Sequence, residues 1–359
     1  CSWIIVQNER LFEAFWLDGS SLGNRAGFET TADIIVGAAG LLLIIEAARR
    51  SLGLALPILS SLFLVYAYVG PYMPDWLFPH RGYSVERIVA QAFLQAQGTF
   101  GVALSVMFTY VFLFVIFGAF LAATGATRFI IDFAQSMFGA SPGGPAKVAV
   151  LSSGLMGSLS GSAVANTATT GTFTIPMMRS AGFKATTAAG IQAAASSGGA
   201  LMPPVMGAGA YMMLEIVDPP VTYIQIIRAA LIPAILYYLS LFLITHFHAR
   251  GSTRAQTSST QPAEQTRPLA ESHMEGLVFA TALGTLIVLL ILGYTPFRAV
   301  SSALLAIIAV GALNPRTRLS VGAIARAFVK SSRDVISLVA ASASVGIIIG
   351  IVTLTGIGT

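Results

Sequence analysis

Leu151-Ser152-Ser153-Gly154-Leu155-Met156-Gly157-Ser158-Leu159-Ser160-Gly161-Ser162-Ala163-Val164-Ala165-Asn166-Thr167 is the stretch on which the fold turns. It lies inside 31 residues, 148–178, that carry no charge. From Ser152 to Thr174 that run holds eleven Ser, Thr or Asn residues, all neutral oxygen donors. Lys147 precedes it and Arg179 follows it. If both cations stay on one side of a membrane, the run enters and leaves by the same face. Each arm is then about 14 residues, too short to cross the hydrocarbon core as a helix. The expectation is a re-entrant helical hairpin over 148–178, with its tip at 157–163.

The rest of the chain agrees with a membrane setting. Of 359 residues, 55% are hydrophobic and 10% are charged, where a soluble domain carries about a quarter charged residues. Lipid can cover so much apolar surface; a soluble fold cannot. The net charge of +5 is not laid out as a nucleic-acid stripe. Lys and Arg sit mostly at the ends of apolar runs, as topology signals do. One cysteine, Cys1, excludes a disulfide framework, and four scattered histidines read as surface residues of connecting segments. No GxSxG, Walker or dinucleotide motif occurs, so no enzyme is expected.

Apolar runs long enough to approach a span lie at 31–48, 52–69, within 88–127, at 223–245, 277–294, 299–313 and from 335 to the end. Asp33 and Glu46 fall near the two ends of the first run, within reach of water. Residues 1–30 read as interfacial, with Trp3 and Trp16 as anchors. Placing Arg49 and Arg50 in the cytoplasm puts fourteen of the 20 Lys and Arg inside. Residues 185–215 are broken by Ser196-Ser197-Gly198-Gly199 and by Pro203-Pro204. Such interruptions predict a discontinuous helix, with its second half starting near Met202. Residues 251–273 read as a flexible cytoplasmic linker. Ala92-Phe93 leads to Thr124-Gly125 much as Ala327-Phe328 leads to Thr355-Gly356. The two spans run in opposite directions by the charge count, the pattern of an inverted repeat. Cys1 in place of Met, and an ending inside an apolar run, point to a piece of a longer polypeptide.

Irregular backbone at membrane depth has to be buried in protein or line a wet cavity. A Gly/Ser tip offers carbonyls and hydroxyls together, which suits a small cation such as Na+. A broken helix adds a carbonyl end for cations and an N–H end for carboxylates. Against this stands plain packing: Gly154, Gly157 and Gly161 equally allow close helix approach. Asn166 alone serves as well as an interhelical hydrogen bond. No acidic relay is visible in the bundle, which favours sodium over proton coupling.

The run from Gly143 to Val150 (GGPAKVAV), then 160–166 (SGSAVAN), 170–176 (TGTFTIP) and 197–207 (SGGALMPPVMG) resembles the tripartite ATP-independent periplasmic (TRAP) transporters. The wording is closest to the fused permeases of the TAXI branch, in the large-subunit, DctM-like region. The resemblance covers residues 85–250 strongly and both ends more loosely. It implies an elevator-type permease of the bacterial inner membrane. Such a permease takes up organic acids, often dicarboxylates or 2-oxo acids, with a sodium gradient and a periplasmic substrate-binding protein. It implies sodium ligands at Ser160, Ser162 and Asn166, completed by Ser197, Gly198 and Gly199. It implies a substrate pocket around Gly161, Thr170, Pro203 and Pro204, and no cofactor beyond the coupling ion. The family has a second hairpin and broken helix that this chain ends before reaching.

The expected fold is therefore all-α and polytopic. Residues 1–84 form small-subunit-like scaffold helices, 85–250 the first transport repeat, 251–273 the linker and 274–359 the start of the second repeat. The alternatives are a stand-alone sodium/anion symporter that needs no binding protein, or a non-transporting scaffold or channel subunit.

Overall fold

The computed structural model describes residues 2–74, 76, 78–251, 272–315 and 317–357. Most of the expected linker, 252–271, lies outside them. The described residues are helical with no strand. Helices long and apolar enough to cross a bilayer are Thr31–Leu52, Ala55–Tyr72, Val102–Ala123, Tyr223–Gly251, His273–Ile291 and Val321–Thr355, with a shorter apolar helix at Pro296–Gly311. This is a multi-pass, all-α membrane protein, as expected. The chain divides into two compact units, Cys1–Phe108 with Arg333–Thr359, and Thr109–Ser332.

The first unit holds α1 (Ser2–Asn8), α2 (Thr31–Leu52), α3 (Ala55–Val69), α4 (Val85–Val89) and α5 (Val102–Val106). Its core joins Leu41, Tyr66, Ile88, Phe93, Ile347 and Ile351. Large side chains such as Ile35, Leu42, Leu43 and Leu62 stay exposed. In lipid that exposure carries no penalty, because the solvent is as apolar as they are.

Asp33 does not reach water. It is fully buried in the first turn of α2, where its carboxylate closes a capping box with Thr30. It accepts from the Trp3 indole at 2.9 Å and from Thr30 Oγ1 at 2.8 Å, and pairs with Arg25 at 3.3 Å. Residues 2–30 therefore fold as a cap onto the end of α2. Trp3 is turned inward by this bond rather than serving as a free interfacial anchor. Arg25 is also held by Gln7 Oε1 at 3.0 Å and by the Leu17 and Ser20 carbonyls. Removing one partner of a buried pair strands the other charge and costs about 3–5 kcal/mol. Asp33→Ala should therefore melt well below the parent protein in a thermal unfolding assay in detergent. A melting point within a degree of the parent would show that the cap is dispensable. At the other end of α2, Glu46 bonds both Arg49 and Arg50 at 2.7 Å.

The third apolar run is not one helix. α4 passes into a π-helical turn, Ala90–Leu94. Residues 95–101 are irregular, and helix resumes at α5. Gln95, Gly98 and Gly101 lie in this interruption, where glycine weakens helix.

The second unit holds α6 (Phe112–Ala123), α7 (Ala126–Phe138), α8 (Gly144–Ser160), α9 (Ala163–Ser180), α10 (Ala185–Ser197), α11 (Ala208–Ile216), α12 (Tyr223–Gly251), α13 (His273–Ile291) and α14 (Pro296–Gly311). The last helix, α15 (Val321–Thr355), starts here and runs on into the first unit. It begins well before residue 335, where the last apolar run was expected to open.

α8 and α9 make the expected hairpin, with the turn at Gly161 and Ser162. The arms have 17 and 18 residues, longer than the sequence pattern had them. At 1.5 Å per residue that is about 26 Å each, still short of the ~30 Å hydrocarbon core. Lys147 is not a loop charge. It is buried in the first turn of α8, donates to Ser141 Oγ at 3.1 Å and lies 5.5 Å over the Phe242 ring.

The break after α10 is wider than expected. A 3-10 turn covers Gly198–Ala200, residues 201–207 are irregular, and the second half begins at Ala208 rather than near Met202. Pro203 and Pro204 have no N–H to donate, and each disfavours helical geometry in the residue before it. The helix therefore cannot restart until the pair has passed.

The two segments compared as a repeat end alike. Thr124-Gly125 follows α6 with Gly125 at φ +90°, and Thr355-Gly356 closes α15 with Gly356 at φ +72°. They differ at their starts: the first is interrupted at 95–101, and the second is continuous.

Candidate functional site

The hairpin tip lies on the break between α10 and α11. A Cβ added to Gly157 would overlap the Gly199 Cα, and one added to Gly161 would overlap the Met206 carbonyl oxygen. Backbone meets backbone at both points, so only glycine fits. Asn166 sits in the same place. A Cβ on Gly199 would stand 3.0 Å from its Nδ2. Of the expected ligands, the fold thus brings Gly161, Asn166 and Gly199 together with Gly157 and Met206.

The remaining predicted residues are distributed as follows. The Ser162 hydroxyl caps α9, accepting from the Ala165 N–H at 3.3 Å. Ser160 Oγ lies 3.5 Å from the Ser162 nitrogen. The Gly198 and Gly199 carbonyls accept from the Leu201 and Met202 N–H groups at 3.0 and 3.3 Å. Each carbonyl keeps a second lone pair. The Ser197 hydroxyl turns away, donating to the Ala193 carbonyl at 2.8 Å on an exposed face. Pro203 is partly exposed and Pro204 is buried at the break. Thr170 stands two turns below the tip, fully buried.

Thr170 belongs to a network that the sequence reading missed. Asn166 Nδ2 donates to the Ser153 carbonyl at 2.8 Å, which ties α9 to α8. Thr170 Oγ1 lies 2.8 Å from the Asn166 carbonyl and 3.2 Å from Ser153 Oγ. Gln192 of α10 closes the network. Its Nε2 lies 2.7 Å from Thr170 Oγ1, 2.9 Å from Ser196 Oγ and 3.1 Å from Ser153 Oγ. Its Oε1 accepts from Thr174 Oγ1 at 2.6 Å. All six side chains are fully buried. Where water is excluded, each such group needs a partner. Satisfied together they join both hairpin arms and the first half-helix into one piece.

Tyrosines hold the break from behind. Tyr237 and Tyr238 of α12 donate to the Ala194 and Ala195 carbonyls at 2.7 and 2.9 Å. They lie in the last turn of α10, where helical partners run out; the Ala194 carbonyl also accepts from the Gly198 N–H. Tyr223 donates to the Pro204 carbonyl at 2.7 Å or the Val205 carbonyl at 2.9 Å, and Tyr211 to Val205. Tyr211 stacks between Tyr110 and Tyr223, with ring centroids 5.8 and 5.2 Å away. A buried Tyr has to find an acceptor, and carbonyls freed by two prolines supply them. That rule was the one signal in the sequence that could have found this group.

A helical hairpin seated on a broken helix, in a chain of membrane-spanning helices, is an arrangement that membrane transporters use. Residues 39–359 match the family described as tripartite ATP-independent periplasmic transporter, DctM component. The chain belongs to that family, the large permease component of the TRAP transporters. It is 43% identical over 90 residues to the 2,3-diketo-L-gulonate TRAP transporter large permease protein YiaN of Escherichia coli, covering 25% of this chain and 20% of that one. It is 32% identical over 137 residues to the C4-dicarboxylate TRAP transporter large permease protein DctM of Pseudomonas aeruginosa, covering 38% and 31%. It is 36% identical over 91 residues to the isethionate TRAP transporter permease protein DctMQ of Oleidesulfovibrio alaskensis, covering 25% and 14%. The matched stretches thus span a third or less of those relatives' own length. All three are named as transporter permeases, and the chain is read as a permease rather than an enzyme.

Proposed function

We propose that this chain is the permease part of a sodium-coupled transporter in the bacterial inner membrane. It takes up an organic acid, a dicarboxylate or 2-oxo acid, handed over by a periplasmic binding protein. The observation that carries the reading is the contact of hairpin tip and helix break through Gly157, Gly161, Gly199 and Asn166. Two irregular backbones meet there without a charged side chain. The Ser160 and Ser162 hydroxyls, Asn166 and the carbonyls of 197–199 supply neutral cation ligands of the kind that unwound transporter helices use. The N-terminal end of α11, past Pro203 and Pro204, faces a carboxylate with partial positive charge. Gly161 and Thr170 belong to the same pocket. The hairpin is re-entrant, dipping from the side that carries Lys147 and Arg179. Residues 1–84 act as small-subunit-like scaffold, 85–250 as the first transport repeat and 274–359 as the opening of the second.

The test is uptake by the complete protein in proteoliposomes, with an imposed Na+ gradient and its binding protein in the outer solution. Uptake that needs both supports the reading. Uptake without the binding protein identifies a stand-alone symporter, and uptake indifferent to Na+ removes the sodium assignment. Asn166→Ala removes an amide that ties the arms together through Nδ2 and stands beside Gly199. It should cut Na+-driven uptake by about tenfold or more, the scale of one lost polar interaction in a dry site. Unchanged uptake would remove Asn166 from the site.

A further inference from the structure

We propose that the interruption at residues 95–101, seated against Gly346 and Gly350 of α15, is a site for a monovalent cation. Its ligands are the backbone carbonyls of the Gln91–Thr99 stretch and the Thr99 hydroxyl. It belongs wholly to the first unit. The hairpin tip belongs to the second.

The first observation is the backbone. The chain leaves helix after Leu94, and Gln95 is extended at φ −91° and ψ 155°. It then doubles back, so that the Thr99 N–H donates to the Ala92 carbonyl at 2.8 Å and the Gly101 N–H to Gly98 at 2.9 Å. No backbone N–H of the described residues outside regular helix donates to the carbonyls of Gln91, Gln97 or Thr99. A Cβ built on Gly350 would lie 3.3 Å from the Gln91 oxygen and 3.4 Å from the Gln97 oxygen. One built on Gly346 would lie 2.7 Å from the Gly98 oxygen and 3.1 Å from the Thr99 oxygen. Four carbonyl oxygens, of Gln91, Gln97, Gly98 and Thr99, thus face one side-chain-free strip of α15. Such oxygens repel one another unless something positive lies among them.

The second observation is independent of the first. Thr99 is 1% exposed, and its hydroxyl has no hydrogen-bond partner among the described residues. A buried hydroxyl in a native protein is normally paired. Gln91 and Gln97 add a polar rim, the Gln91 amide donating to Gln97 Oε1 at 3.3 Å. Together these groups are neutral oxygen ligands in a segment with no Asp, Glu, Lys or Arg from residue 88 to 127 or from 335 to the end of the chain. Divalent ions are held with carboxylates. Carbonyls and a hydroxyl without any carboxylate match an ion of single charge, as in filters and unwound transporter helices.

The experiment is Na+ binding by the complete protein, read as Na+-dependent thermal stabilisation at constant ionic strength, with choline as the replacing cation and K+ as a second probe. Asn166→Ala serves as the background, since it weakens the hairpin-tip site. A second, saturable response to Na+ or K+ should survive in that background. Adding Thr99→Val, which keeps the side-chain shape and deletes the hydroxyl, should raise its apparent Kd tenfold or more. Thr99→Ser should restore it. Loss of all cation response in Asn166→Ala alone would overturn the proposal, as would a response that Thr99→Val leaves intact. So would a Thr99→Val substitution that raises the melting point above that of the Asn166→Ala background by the same amount in choline and in Na+, because the hydroxyl would then be an unpaired group and nothing more. Failure of the hairpin-tip site would show separately, as an Asn166→Ala protein with an unchanged two-phase response.

Discussion

Gly161→Ala is expected to abolish uptake by the complete protein while leaving it in the membrane. The residue sits at φ +59° between the two hairpin arms, in the left-handed region that costs an L-residue with a Cβ about 1–2 kcal/mol. The larger effect is contact. The new methyl would occupy the place of the Met206 carbonyl oxygen, and a backbone oxygen cannot rotate aside as a side chain can. The tip has to lift from the break, which separates Asn166 from Gly199 and opens the site. Gly190 provides the control. It lies in α10 with nothing within 4 Å of its Cβ position. Gly190→Ala should leave uptake unchanged, and helix propensity favours it by about 1 kcal/mol. Uptake assays on the two alanine variants, normalised to protein in the membrane, separate the cases. Equal activities would show that the tip and the break do not need their contact.

Gln192→Leu is expected to cost both stability and transport. The amide supplies the donors that meet Ser153, Thr170 and Ser196, and it is the acceptor for Thr174. Leucine has similar bulk and leaves those hydroxyls to fend for themselves in a region without water. Each buried group left unsatisfied costs about 1–3 kcal/mol. Partial re-pairing among the hydroxyls brings the sum to roughly 2–4 kcal/mol, by the same scale. A fall of several degrees in the melting temperature should accompany a drop in uptake. Gln192→Glu keeps the acceptor and the shape, so it should lie between the two in stability. A leucine variant that melts with the parent would show that the network is ornamental to the hairpin.

Much of this was legible in the chain itself. The charge-free run between Lys147 and Arg179, too short to cross twice, foretold the hairpin of α8 and α9. The Ser197-Gly198-Gly199 and Pro203-Pro204 interruptions foretold a broken helix. Glycines of the tip were read as either packing residues or site residues, and Gly157 and Gly161 prove to meet the other backbone directly. Other features left no mark in composition. Asp33 looked like a charge at a helix end, because nothing local says that residues 2–30 fold back to cover it. Gln192 stands alone among alanines, and its partners come from helices that are remote in sequence. Residues 95–101 lie in a run, 88–127, that carries no charge and reads as one apolar stretch.

What the sequence determined by itself is the solvent, the fold class and two of the places where helix fails, the hairpin tip and the break after α10. Each follows from local chemistry: apolar content suits lipid, and glycine and proline lower or remove helical hydrogen bonding within a few residues. Which failed segment meets which other backbone was decided by the tertiary structure alone. Gly157 against Gly199, Gly161 against Met206, and Gly346 and Gly350 against residues 97–99 are pairings between distant positions. Their energy is the close packing of bare backbone and the satisfaction of freed polar groups. Neither exists until the chain has folded back on itself.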